Sequence, residues 1–468
     1  MTETRPPAGS HAVVIGGSMS GLWAARVLAD HFAQVTVIER DHLPDEPLPR
    51  RGVPQARHVH VLLAQGWRIL EDLFPGLPAE LAAQGVPIFD WGAAVDVLYP
   101  LGWGQRHLSG LILGALSRDR LEWNIRRRLR LLPNVRFLER HDVAGFLASG
   151  DQVVGVRLRV RGDEGVLPAD GAPGEESLRA DLVVDASGRD SRTPDWLATL
   201  GYDKPDETRI NSFLGYATRW YRRPPEFAAD WQALLVSARP PRIPRSGGIY
   251  SIENDQWMVT LAGAARDYPP TDEEGFTAFA RSLATPRLAD ALRDAEPISP
   301  IYGYRRTENR WRRFERLRRW PDRLVVVGDA VCAFNPVYGQ GMTVGALDAL
   351  TLADTLAAHR RRHPAGDLTG FGLTFQKALA ATLRTPWQLA TGVDFRYPTT
   401  EGGRPSRATR LSQRYMDRVL DLAGQDVLVN RTLASVVHLV APPRTLLQPR
   451  IAAKVLAYSL SARTHKGS

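Results

Sequence analysis

Three short segments of this 468-residue chain set glycine, acidic residues and strand ends in patterns that can hold a phosphate-bearing ligand. The first is Gly16-Gly17-Ser18-Met19-Ser20-Gly21, between the β-branched run His11 to Ile15 and the amphipathic stretch Leu22 to His31. Gly16 permits a tight turn, and Gly21 lets a helix pack close to its strand. The helix start offers unpaired N–H groups and positive dipole to a pyrophosphate. A second strand, Gln34 to Ile38, ends at Glu39-Arg40. Glu39 lies 18 residues after Gly21, where a carboxylate can accept hydrogen bonds from a ribose. Ser18 stands where the second glycine of G-x-G-x-x-G belongs, and its small side chain still admits the backbone to a phosphate.

The second segment, Leu182-Val183-Val184-Asp185-Ala186-Ser187-Gly188-Arg189, runs an apolar strand into a turn of small residues. Asp185 and Gly188 could face a ligand crevice there, and an ordinary Asx-type turn explains the same residues without one. The third segment is the most specific. The strand Arg323 to Val327 leads into Gly328-Asp329-Ala330, then Asn335-Pro336-Val337-Tyr338-Gly339-Gln340-Gly341-Met342, then a helix from Thr343 to about His359. Asp329 can bond sugar-alcohol hydroxyls, and Pro336, Gly339, Gly341 and Met342 bring backbone against a planar ring. The following helix points its positive end at a ring that becomes negative on reduction.

In this order, the three segments resemble FAD-dependent monooxygenases of the para-hydroxybenzoate hydroxylase fold, over about residues 10–390. The resemblance implies an α/β chain with a Rossmann FAD domain of the glutathione-reductase type at 10–205 and 296–385. A β-sheet substrate domain would interrupt it at 206–295, and helices would fill 386–468. It also implies that Arg50 and Arg51 meet the pyrophosphate, that backbone beside Val53 touches the flavin, that Arg118 reaches phosphate or ribose, and that Val143 lies near the adenine. The variants Asp185-Ala186-Ser187-Gly188, Gly328-Asp329-Ala330-Val331-Cys332 and Gly52-Val53-Pro54-Gln55 look more like the epoxidase branch than the aromatic hydroxylases. That branch, which includes squalene epoxidases and the epoxidases of polyether polyketide assembly, implies transfer of one oxygen from a flavin C4a-hydroperoxide to a lipophilic alkene in polyketide or terpenoid secondary metabolism. The substrate would be free or bound to a carrier protein. An alkene needs no general base, so no catalytic side chain is named. With no second Rossmann glycine segment, NADPH would dock transiently or a separate reductase would supply electrons. A flavin halogenase of this fold would carry a Trp-x-Trp-x-Ile-Pro motif, which this sequence lacks. A redox-silent FAD-containing cyclase of the dialkyldecalin synthase kind keeps the same FAD segments and stays open.

The elements that must position these residues follow from pattern. Ile210 to Tyr221, Ala233 to Ala238, Gly248 to Ala265 and Tyr302 to Phe314 alternate or run apolar like strands, and the chain from Arg384 onward reads as helical. Net charge is +9, yet 56 of the 60 basic residues are arginines spread along the chain. The runs Arg126-Arg127-Arg128 and Arg312-Arg313 read as solvated faces rather than a nucleic-acid surface. His58 and His60 read as lining of the flavin loop, since no further metal ligand is spaced with them. The single cysteine, Cys332, excludes an intramolecular disulfide and reads as a small buried filler. No leader-like apolar run and no membrane-length stretch appears, so a cytoplasmic protein without stable membrane insertion is expected.

Overall fold

The computed structural model describes residues 9–161 and 176–464. Strand β1 (Gly9–Ile15), helix α1 (Met19–Ala29) and strand β2 (Phe32–Ile38) form the first crossover. Helix α2 (Arg118–Arg130), capped by Ser117, leads to β3 (Val135–Leu138). Strands β4 (Leu182–Asp185) and β5 (Leu324–Val326) complete a parallel sheet of order β5-β4-β1-β2-β3. Its central strands are apolar without alternation, as a sheet covered on both faces requires. Ala12, Val13, Val14, Val183, Val184, Val325 and Val326 are all fully buried.

Two glycines are obligatory at the first turn. A Cβ on Gly21 would sit 1.8 Å from the Gly16 carbonyl oxygen, and one on Gly16, held at φ +102°, would sit 2.7 Å from the Ala186 carbonyl. Helix and two strands therefore approach to backbone contact.

A larger, mostly antiparallel sheet stands beside the parallel one. It contains Gly215–Arg222, Gln256–Gly263, Arg245–Ile252, Ala233–Val236, Val95–Tyr99 and Gly102–Trp103, with Glu296–Pro297 and Tyr302–Tyr304 on Gly215–Arg222. Its strands thus come from both sides of 206–295. Val95–Tyr99 pairs in parallel with Ala233–Val236, a register no local pattern encodes. The apolar run Gly248 to Ala265 is two strands, because Asn254 and Asp255 take positive φ and turn the chain back. The run Tyr302 to Phe314 also divides. Asn309–Arg312 leaves the large sheet to pair with Glu207–Ile210 and Cys332–Ala333.

Helix α3 (Gly341–Arg362) packs against α1, and α4 (Phe371–Asp394) packs against α3 and strand β5. Helices α5 (Arg407–Ala423), α6 (Val427–Val437) and α7 (Pro449–Thr464) follow. They form a separate apolar core with Val95, Val97 and Ala233, through Val419, Leu433, Ile451 and Val455.

The arginine runs are not solvated faces. Arg126 and Arg312 are buried, and their neighbours Arg127, Arg128 and Arg313 are half-buried. Arg126 donates to the Pro44 carbonyl at 2.5 Å, and Arg312 donates to the Ala330 carbonyl and the Glu207 carboxylate. A guanidinium with five donors can be buried when carbonyls and carboxylates meet it, so packing rather than solvation uses these side chains.

Candidate functional site

The first turn, the end of β2, the Arg50 loop and the start of α2 converge. Gly17 N–H donates to Glu39 Oε2 at 2.9 Å, which fixes the carboxylate under the turn. Ser18 Oγ lies 3.0 Å from Glu122 Oε2 and accepts from Arg118 Nη2 at 2.7 Å. Arg50 is buried among three carboxylates, at 2.5 Å from Glu122, 3.2 Å from Glu39 and 3.3 Å from Asp41. Burial alone would lower the Arg50 pKa, but these carboxylates outweigh it and raise it. Burial would likewise raise Glu122, yet Arg50 and Arg118 hold it below the usual carboxylate range. Arg50 and Glu122 therefore stay charged. The Arg118 Nε is buried without a hydrogen-bond partner beside Ser18, a donor left for an anion.

A second convergence lies at the end of β5. A Cβ on Gly328, at φ +63°, would come 2.3 Å from Ser20 Oγ, so the third segment packs against the first. The Asp329 carboxylate makes no hydrogen bond or ion pair among the described residues, and burial raises its pKa, against Arg189, Arg118 and Arg310. Gly328 N–H donates instead to Asp348 Oδ2 of α3 at 2.8 Å, and burial pushes Asp348 to about 7. Next comes the turn Pro336–Tyr338 with Gly339 at φ +64°. A Cβ on Gly341 would meet nothing within 4 Å, so bare backbone at the start of α3 borders open space. Met19 and Met342 are buried.

Other expected residues are placed differently. Asp185 is wholly engaged in its own turn: Oδ1 accepts from Ser187 N–H and Oγ, and Oδ2 from Ser191 and Thr193 hydroxyls. Gly188 (φ +82°) turns the chain with open space around it. Arg40 is exposed and reaches the Gly52 carbonyl at 3.4 Å, Arg51 is exposed, and Val53 is buried. Val143 lies on a separate three-stranded meander, at an irregularity in its pairing.

Sequence reasoning missed Glu122, Asp41 and Asp394. Glu122 had a signal, since it lies one turn after Arg118 on the same helix face. Asp394, at the end of α4, had none. It accepts from Tyr338 Oη at 2.5 Å, Asn309 Nδ2 at 2.6 Å and Asn335 Nδ2 at 3.5 Å, tethering the loop before Gly339.

Beside that loop is a mostly apolar pocket lined by Val59, His60, Val61, Phe89, Trp91, Val95, Tyr250 and Met258 among others. Val61 touches the site of a Gly339 Cβ at 3.4 Å, which connects cavity and loop. His60 donates from Nδ1 to the His58 carbonyl at 2.9 Å, and burial depresses its pKa to about 3. It is neutral there. His58 is buried away from the cavity, bonded to Thr218 Oγ1 at 2.9 Å. Buried Cys332 has its thiol pushed well up, mainly by burial, and is inert filler.

Residues 10–368 match the family described as FAD binding domain. The chain belongs to this family of FAD-dependent monooxygenases and hydroxylases. It is 37% identical to Protein Rv3254 of Mycobacterium tuberculosis, over 84% of this chain and 82% of that protein. It is 30% identical to kynurenine 3-monooxygenase of Salinispora tropica, over 75% and 73%. The structure resembles the flavin-dependent brominase Bmp2 with a TM-score of 0.63 at 14% identity, over 97% of this chain and all of that one. That likeness is one of fold alone. The geometry fits the family's cofactor, with an unpartnered donor at the first turn, an unpartnered carboxylate at β5 and a glycine cradle opening onto free space.

Proposed function

We propose that this monooxygenase transfers one atom of dioxygen to a lipophilic alkene, giving an epoxide, with electrons from NADPH or a partner reductase. The observation that carries this reading is the cavity. Among the described residues, His60, held neutral, and Tyr250, pushed up to about 12 by burial, are its only titratable liners. Its lining is mostly apolar and offers no ionised base at neutral pH. An alkene matches that, because its π electrons attack an electrophilic oxygen with no proton to remove.

Arg50 and Arg118 would hold the FAD pyrophosphate, Glu39 the adenosine ribose, and Asp329 the ribityl hydroxyls. Bound FAD supplies the electrons that activate dioxygen. The backbone from Pro336 to Met342 would orient the ring toward the cavity, while the start of α3 favours negative charge on it. A place in cytoplasmic polyketide or terpenoid metabolism fits such a substrate.

The test is turnover of lipophilic polyenes under labelled dioxygen with NADPH, reading product mass. Gain of one labelled oxygen at a former double bond is expected. Oxygen on an aromatic ring would replace epoxidation by hydroxylation. A product isomeric with its substrate, formed anaerobically with oxidised FAD, would overturn oxygen transfer altogether.

A further inference from the structure

The C-terminal helices carry a surface that neither the flavin nor the cavity uses. Helix α7 buries Ile451 and Val455 in the core that also contains Val95 and Ala233 of the cavity wall. On its opposite side Ala453, Leu456, Ala457 and Leu460 are exposed, spaced i, i+3, i+4 and i+7, so they form one outward apolar stripe. Leu456 is 62% exposed, Leu460 56% and the preceding Leu447 63%. A stripe of this kind on a helix that is already anchored by its other face has no internal role.

Charge says what covers it. Asp426 is the last acidic residue of the chain, and the 42 residues after it hold Arg431, Arg444, Arg450, Lys454, Arg463 and Lys466. Neighbouring α5 exposes Arg407, Arg410, Arg414 and Arg418 on one face, with Leu411 among them at 69% exposed. Arg418 extends this row to α7, lying over the Tyr458 ring and pairing with Asp421. Arg407, Arg410 and Arg414 make no ion pair with any described residue. Exposed Leu411 among unpaired arginines on α5, next to the leucine-striped α7, matches an interfacial surface on acidic lipid, whereas a second copy of this basic face would be repelled. Among the described residues no helix is long and apolar enough to cross a membrane, so the contact is one of surface only.

We propose that α5 and α7 seat the protein on the surface of an anionic bilayer, with Leu456 and Leu460 dipping among the acyl chains and the arginine row meeting acidic headgroups. The core under α7 is also the cavity wall, so docking brings the cavity near the phase in which lipophilic molecules dissolve. The assay below contains no substrate or electron donor, so its outcome stands apart from the oxygen-transfer reading.

The test is co-sedimentation of the full FAD-loaded chain with vesicles of phosphatidylcholine, and of phosphatidylcholine mixed with phosphatidylglycerol. Binding to the mixed vesicles alone, falling with salt, is expected. Arg410→Gln with Arg414→Gln should weaken it by about thirtyfold, at roughly fivefold for each surface charge. Leu456→Ser with Leu460→Ser should abolish it, with flavin content and thermal unfolding unchanged. Absence of binding to either vesicle, or binding indifferent to both double variants, would overturn the proposal. Concentration-dependent self-association without vesicle binding, lost in the leucine variant, would assign the stripe to a second copy. Should the leucine variant fold poorly, the arginine variant still decides.

Discussion

The dinucleotide end and the cavity meet at the Gly339 loop, yet they are built by opposite rules. At the dinucleotide end Arg50, Arg118, Glu39, Asp41 and Glu122 lie within a few ångströms of one another, on backbone so close that only glycine fits. The cavity holds no ionised group, and its histidine is stripped of charge by burial. A phosphate is bound by charge and donors, so its site is dense in both. In the proposed reading the cavity would position an apolar molecule and keep water away, so the chemistry would rest with the cofactor.

The largest expected break of this contrast uses two glycines. Gly21→Val puts a side chain into the Gly16 carbonyl and should cost at least about 4 kcal/mol, so that little native protein is recovered. Gly341→Val meets open space, so apoprotein unfolding should move by less than about 1 kcal/mol while FAD binding weakens more than tenfold. Titration of flavin fluorescence checks this, and tight FAD binding by the Gly341 variant would move the flavin away from that loop.

Glu122→Gln should cost about 3 kcal/mol in the apoprotein by leaving Arg50 and Arg118 under-compensated in a buried place. A bound pyrophosphate restores the negative charge, so the penalty should shrink with FAD present. Urea unfolding with and without FAD measures both, and equal penalties would separate the cluster from the cofactor.

The apolar side is sharpened by pH. His438, 1% exposed, packs on Trp91 of the cavity, and burial depresses its pKa to about 3. Between its unfolded value near 6.5 and about 3 only the unfolded chain takes the proton, so this residue makes stability fall as pH falls. Relative to His438→Gln, wild type should lose about 2 kcal/mol between pH 7 and pH 5, read from urea unfolding at each pH. A pH-independent difference would mean that His438 is protonated in place.

The smallest effect is expected at the junction. Tyr338→Phe removes one hydrogen bond to Asp394 and should cost about 1 kcal/mol. Because that bond tethers the turn before Gly339, the flavin absorption envelope should shift as well. A stability loss with an unchanged spectrum would make the tether purely structural.

The parts legible in the sequence are those whose cause is local. Gly21 is dictated by backbone approach within one turn of its strand end, and Gly16 and Gly328 by the positive φ of theirs. The apolar, non-alternating runs at β1, β4 and β5 announce a buried parallel sheet, and Glu39 follows from the length of one crossover. Tertiary structure alone decided the rest, because each remaining feature joins segments far apart in the chain. It buried Arg126 and Arg312 against carbonyls, and brought Asp394 beneath Tyr338. It inserted Val95–Tyr99 beside Ala233–Val236, and from that pairing came the cavity wall. Backbone sterics and periodicity act over one turn or one strand, whereas charge pairing and cavity closure depend on which distant surfaces meet.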